Sequence, residues 1–174
     1  MIRICLAGLS GSGKTTLGEL LAKELNIAHI QKSYKDVTTD ERDLLQMQRS
    51  VTKQYEADFD KQIVEQAKGK NCVVSTWLCA WLIKDATLRV WLNASHDERV
   101  RRLMELKNKD RKFIEEYMVE KDQGNVERWQ KTYGIDLNDH SIFDIEFNTE
   151  KFTPDEMASI ISMVALARDK KKFA

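Results

Sequence analysis

The segment Gly8-Leu9-Ser10-Gly11-Ser12-Gly13-Lys14-Thr15 fits G-x-x-x-x-G-K-[ST] at every position and dictates what must lie on either side of it. A loop of this pattern turns its backbone N–H groups toward one anion, which demands φ values that side chains resist. It also needs a strand to deliver it and a helix N-terminus to finish the phosphate cradle. Both are present. Ile2-Arg3-Ile4-Cys5-Leu6-Ala7 is a short apolar, β-branched run, and Leu17, Leu20, Leu21 and Leu25 recur at helical spacing after Lys14. The segment is read as a P-loop in which Gly8, Leu9, Ser10, Gly11, Ser12, Gly13, Lys14, Thr15 and Thr16 bind a nucleotide. Lys14 would reach the β/γ-phosphates as a catalytic cation, and the Thr15 hydroxyl would hold Mg²⁺. The competing reading is a glycine-rich turn that binds nothing.

A chain of 174 residues is expected to form one domain over its whole length, with a sheet covered on both faces. Lys plus Arg and Asp plus Glu are equal at 28 each, so no global field favours nucleic acid or an acidic membrane. No apolar stretch reaches membrane-spanning length, and no signal-type segment precedes the first strand. Cys5, Cys72 and Cys79 sit in apolar runs and are expected to be reduced core thiols of a cytoplasmic protein. His29, His96 and His140 are too scattered for a metal cluster, and a surface or capping role is expected for each.

One proline, seven glycines and no low-complexity tract leave no linker. Further strands are expected at Ile27–Ile30, Cys72–Ser75, Thr87–Leu92 and Ile142–Phe147. A Thr38-x-x-Glu41 capping box opens a helical region in which Leu44, Val51, Tyr55, Phe59, Ile63 and Ala67 recur, closed by Gly69. Ser95-x-x-Glu98 opens another, charged and helix-forming to about Lys131. Thr153-Pro154-Asp155-Glu156 opens a third from Met157 to Ala167. Strands alternating with helices imply a three-layer α/β/α P-loop NTPase fold with a mostly parallel five-stranded sheet. The nucleotide is then expected at the carboxyl ends of the strands.

Among P-loop chemistries, a GTPase reads guanine with N-K-x-D, but Asn108-Lys109-Asp110-Arg111 has its aspartate one residue early and lies in a helical region. A motor ATPase would need more chain. What remains is a compact phosphoryl transferase with a helical acceptor-binding insert at about 31–67 and a charged helical lid at about 107–131. Closure of such inserts excludes water and positions the reactants.

The chain resembles the nucleoside monophosphate kinases, and within them the short archaeal-type cytidylate kinases. The resemblance is carried by the opening strand and P-loop, Leu78-Cys79-Ala80-Trp81, Val90-Trp91-Leu92-Asn93-Ala94-Ser95 with Glu98-Arg99, and above all Arg128-Trp129-x-x-x-Tyr133-Gly134-Ile135-Asp136-x-x-Asp139-x-Ser141-Ile142-Phe143-Asp144 followed by Asn148-Thr149. It implies ATP as donor, Mg²⁺, a CMP-type acceptor, and Arg128, Asp136 and Asp139 near that acceptor. The alternative for these three is a set of salt bridges bracing a loop.

Where the resemblance leads one to expect an acidic residue and an arginine, as in Glu-Gly-Arg-Leu, this chain has Ser75-Thr76-Trp77-Leu78. One metal-side charge and one bidentate contact are thus missing. A Gly-x-x-Phe-Arg element is replaced by Gln31-Lys32-Ser33-Tyr34-Lys35-Asp36, in which Lys32 or Lys35 would substitute, and a lid arginine is replaced by Lys121. Trp77 is either an acceptor-stacking face or core; Trp81, Trp91 and Trp129 are read as packing residues. Arg99, Arg101 and Arg102 form a solvated helix face from which one reaches ATP. The leading expectation is Mg²⁺-dependent transfer from ATP to a pyrimidine monophosphate. Two alternatives stand beside it: a kinase for another nucleotide or metabolite, and a nucleotide-binding regulator. A monomer or homodimer without nucleic-acid or membrane partners is expected.

Overall fold

The computed structural model describes residues 1–31 and 53–171. The Thr38-x-x-Glu41 box, the Lys32 and Lys35 substitutes and the first part of the expected insert lie outside the described residues. The elements are β1 (Arg3–Ala7), α1 (Lys14–Leu25), β2 (Ala28–Ile30), α2 (Lys53–Ala67), β3 (Cys72–Ser75), α3 (Cys79–Leu82), β4 (Leu88–Asn93), α4 (His96–Lys107), α5 (Arg111–Tyr133), β5 (Ile145–Asn148) and α6 (Pro154–Lys171).

The strands form one parallel sheet in the order β2-β3-β1-β4-β5. Parallel strands need crossovers that cover both faces, so alternate residues of one strand enter two different cores. Ile4 and Leu6 of β1 join Val73, Leu88, Val90 and Leu92 against Leu17 and Leu21 of α1 and Ala158 and Ile161 of α6. Cys5 and Ala7, one residue out of phase, join Val74 and Trp91 against Ile63 and Ala67 of α2 and Cys79 and Ala80 of α3. The three layers expected from the alternation of strands and helices are thus present. Cys5, Cys72 and Cys79 are buried and unpaired in disulfides, as their apolar surroundings imply.

Of the two expected capping boxes here, that at Thr153 forms in full, whereas that at Ser95 forms only its N-cap half. Ser95 N donates to Glu150 Oε1 at 2.7 Å, and the Glu98 carboxylate is taken by Arg101 and Arg102. The Ser95 hydroxyl accepts from Glu98 N at 3.3 Å. Thr153 and Glu156 cap each other, through Glu156 N to Thr153 Oγ1 at 3.3 Å and Thr153 N to Glu156 Oε2 at 2.8 Å. The region after Ser95 is not one continuous helix, however. Asn108 adopts φ 52° as the C-cap of α4, and the Asp110 carboxylate accepts from Phe113 N at 2.9 Å to start α5. The near-miss guanine motif is therefore a helix–helix turn. The α4–α5 hairpin packs through its own cluster of Val100, Leu103, Ile114, Tyr117 and Met118.

β5 begins three residues later than the alternating pattern suggests. Phe143 N bonds to His140 O at 3.0 Å, closing a turn that turns Phe143 onto Trp81 and Trp91, each with a ring centroid 5.2 Å away. Asp144 then ties the entry of β5 to β4, accepting from Arg89 N at 2.7 Å and donating to Arg89 O at 2.9 Å. Aromatic packing thus overrides the period-two signal. Ile161, fully buried where α6 meets the sheet, tests which contacts hold the first layer. Ile161→Ala is expected to lower the unfolding free energy by about 2–5 kcal/mol, read from the midpoint of urea denaturation at unchanged m-value.

Candidate functional site

The carboxyl ends of β1 and β3 open into a cavity of about 410 Å³, roofed by α5 and flanked by α2 and α4. Its floor is the glycine loop. Gly8, Gly11 and Gly13 have φ 147°, 80° and 96°, and neighbouring elements press against the first two. A Cβ on Gly8 would stand 2.5 Å from Leu92 O, and one on Gly11 would stand 2.9 Å from Arg99 O. Only glycine fits either place. Gly13 caps α1 without a side-chain acceptor, and the first turn carries no acidic residue, so its amides and dipole face the cavity uncompensated.

Lys14 bends back over the loop, donating to Gly8 O at 2.7 Å and Leu9 O at 2.9 Å, with its ammonium 5.5 Å from the Trp77 ring centroid. Burial, reinforced by the nearby Lys121 ammonium and opposed by Asp122, lowers its pKa to about 7. Lys121 donates to Tyr117 Oη at 3.2 Å and lines the same space. Ser10 and Thr76 also line it, and their buried hydroxyls have no hydrogen-bond partner among the described residues. Thr15 and Thr16 stand exposed at its edge. Two ammonium groups, free helix-start amides and unsatisfied hydroxyls together form a receptor for a polyanion.

Of the nine loop residues, Ser10, Gly11, Gly13, Lys14, Thr15 and Thr16 line the cavity, whereas Gly8, Leu9 and Ser12 shape the turn beneath it. The helix-face arginines divide cleanly. Arg101 is exposed and paired with Glu98 and Glu105. Arg99 is buried and locks the loop to the hairpin, donating to Ser10 O at 3.1 Å and to Asp122 Oδ2 at 2.8 Å. Arg102 is the one that faces the cavity, anchored by Glu98 at 2.8 Å and by Thr149 Oγ1 and O at 2.9 and 2.8 Å.

The acceptor-side residues are brought together only in part. Trp77 lines the cavity and packs on Trp129, centroids 5.2 Å apart; Trp129 lines it too, so it is more than a packing residue. Arg128 is not among the lining residues and is linked to them through Asn125 Oδ1. Asp136 and Asp139 are exposed outside the cavity. Asp136 accepts from Asn138 N at 2.9 Å and Asp139 from Ser141 N at 3.0 Å, and the Ser141 hydroxyl, followed by that amide, lowers the Asp139 pKa. Both aspartates brace their own turns by accepting from backbone amides two residues on.

Sequence reasoning missed Asp60, Phe59 and Ile63 on the inner face of α2, which complete the wall. Asp60 accepts from Tyr133 Oη at 2.6 Å, tying α2 to the end of α5. The i, i+4, i+8 spacing of Lys121, Asn125 and Trp129 was the available signal for the roof. His29 is half-buried and turns inward. Its Nε2 lies 2.7 Å from the hydroxyl of Ser75, a lining residue, and burial lowers its pKa against the opposing charge of Glu19.

A divalent cation here suits the donor set without a dedicated cage. Thr15 supplies a hydroxyl at the helix start, and among the described residues no group of three or more His, Cys, Asp or Glu could hold a metal. A cation entering with phosphates and its own waters matches such a site. Among the described residues no helix is long and apolar enough to cross a membrane.

Residues 3–151 match the model of the cytidylate kinase-like family. The chain is 32% identical over 165 residues to a cytidylate kinase of Sulfurisphaera tokodaii, covering 91% of this chain and 92% of that one. It is 33% identical over 166 residues to a cytidylate kinase of Thermococcus kodakarensis, covering 91% and 84%. Among solved structures, shikimate kinase from Bacteroides thetaiotaomicron superposes with a TM-score of 0.61 at 21% identity, covering 94% of this chain and 97% of that one, which shows the shared fold. The chain belongs to the cytidylate kinase-like family of phosphotransferases.

Proposed function

We propose that the protein transfers the γ-phosphoryl group of ATP to the phosphate of a nucleoside monophosphate, with CMP as the preferred acceptor. The observation that carries this is the pairing of a polyanion receptor on the loop with an aromatic-walled space across the same cavity, in a chain whose relatives are named cytidylate kinases. The attacking phosphate oxygen is already anionic, so the chain needs no general base. It must offset the repulsion between two phosphates and exclude water.

Lys14 moves from its loop carbonyls to the β/γ-phosphates, while Lys121 and Arg102 supply charge from the roof and flank. Thr15 would hold the Mg²⁺ that accompanies ATP, which supplies charge neutralisation across the phosphates when bound. The base of the acceptor lies against Trp77 or Phe59, with Asp60 and Asn125 within the same wall for its polar edge. Residues 107–131, within the α4–α5 hairpin, act as the lid, and 31–67 as the acceptor-binding insert. The neutral Ser75 and Trp77 favour one second reading, a small non-nucleotide acceptor held without an arginine.

Screening ATP and Mg²⁺ against CMP, UMP, dCMP, AMP and hydroxylated metabolites, scored by product mass, is expected to give CDP as the fastest product. A clear preference for a non-nucleotide would overturn the acceptor assignment. Lys14→Met is expected to lower kcat by about 10²–10³-fold with the thermal midpoint retained, as for loss of one preorganised transition-state charge.

Lys14 also makes binding proton-linked. With its pKa held at about 7 in the free protein, it is largely neutral at slightly alkaline pH, and a bound polyphosphate raises that pKa again. ATP binding must therefore take up protons, and affinity falls as pH rises through the free-protein value. Calorimetry in buffers of different ionisation enthalpy at about pH 7.5 should show net proton uptake, abolished in Lys14→Met.

A further inference from the structure

His29 and Ser75 come from different strands and converge beside the phosphate site. Ser75 closes β3 opposite Leu6 of β1, two residues before the loop begins, where the family resemblance leads one to expect a metal-side carboxylate. Here the side chain is a hydroxyl, 5% exposed and lining the cavity. Its partner is fixed by packing. The His29 ring lies so close to α1 that a Cβ on Gly18 would stand 2.4 Å from Nε2, and Nε2 itself is 2.7 Å from Ser75 Oγ. Burial keeps the imidazole neutral, so the pair shares one proton between a ring nitrogen and a hydroxyl oxygen. Nε2 points inward at Ser75, and a ring protonated on Nδ1 leaves that nitrogen free to accept.

We propose that His29 and Ser75 form one unit on the metal side of the site: Nε2 accepts the Ser75 hydroxyl proton, which turns the serine lone pairs to the cavity to accept a hydrogen bond from a magnesium-bound water. His29 is a positioning residue, acting through Ser75. A serine held in this way replaces a carboxylate as an acceptor without adding charge, and magnesium tolerates it because it keeps several waters and is bound through them. The proposal rests on the Mg²⁺·ATP reading above, and its test does not depend on acceptor transfer.

The test combines nitrogen NMR of the full-length protein with magnesium titrations in the presence of a non-hydrolysable imido analogue of ATP. The His29 ring, assigned by its absence in His29→Gln, is expected as the neutral Nδ1–H tautomer. Its resonances should move on addition of magnesium in the wild type but not in Ser75→Ala. Ser75→Ala and His29→Ala should each raise the magnesium concentration needed for half-saturation about tenfold, the worth of one hydrogen bond, and the double variant should be no worse than either. His29→Gln, which places an amide where Nε2 was, should restore most of the loss. An Nε2–H tautomer, unchanged half-saturation in Ser75→Ala, or losses that multiply in the double variant would each overturn the proposal. If the wild type binds magnesium with the analogue yet phosphorylates no acceptor, the transfer reading fails while these titrations still decide the role of the pair.

Discussion

A desolvated ammonium facing a second ammonium across a cavity is electrostatically unfavourable, and the rest of the structure is arranged so that it persists. Two loop carbonyls and the Trp77 face hold Lys14 over the loop, and Lys121 donates to Tyr117. The loop cannot relax because Leu92 of β4 presses on Gly8 and Arg99 of α4 presses on Gly11. Arg99 then carries the constraint onward, joining the Ser10 carbonyl to Asp122 on α5. Removing one member of that buried pair would leave a charge without its partner, which costs more than the pair contributes. An anion between the two ammonium groups would therefore complete an electrostatic balance left open by the folded chain.

The fold was legible wherever the signal was local. The glycine loop, the N-cap at Ser95, the capping box at Thr153 and the apolar runs of β1, β3 and β4 each depend on contacts within a few residues, and each forms where the pattern places it. Local reasoning failed where a distant partner set the boundary. The β5 run was cut short because Phe143 finds Trp81 and Trp91, and nothing in the alternation of residues 142–147 reports those rings. The helix after Ser95 divides at Asn108 because its two halves fold on each other; the Asn and Asp at that turn were readable as a C-cap and an N-cap, yet high helical content on both sides concealed them.

The site divides in the same way. Its phosphate side is a contiguous stretch of sequence, so Lys14, Thr15 and the glycines could be named from spacing alone. Its other walls are assembled from α2, the end of β3 and α5, and the residues that matter there meet only in three dimensions. Asp60 with Tyr133 and His29 with Ser75 are each separated by tens of positions, and no periodicity links them. Arg102 differs from Arg99 and Arg101 only in the direction in which its Cβ leaves α4, which a single sequence cannot order without knowing where the loop lies.

The two departures at the end of β3 make physical sense together. An acidic residue and an arginine placed two apart beside a phosphate site balance each other; losing one alone would leave an uncompensated charge near desolvated groups, whereas losing both leaves the local charge sum unchanged. Ser75 and Trp77, where the resemblance leads one to expect such a pair, are both uncharged: a hydroxyl bonded to His29 and an indole packed on Trp129. The cations that line the cavity, Lys14, Lys121, Arg102 and Lys107, come from the loop and the α4–α5 hairpin, while the wall toward α2 is built from Phe59, Asp60 and Ile63. On the proposed reading, charge recognition is thereby concentrated on the donor phosphates. Selection of the acceptor passes to shape, stacking and hydrogen bonding, interactions that discriminate by what is left unsatisfied when the wrong molecule enters.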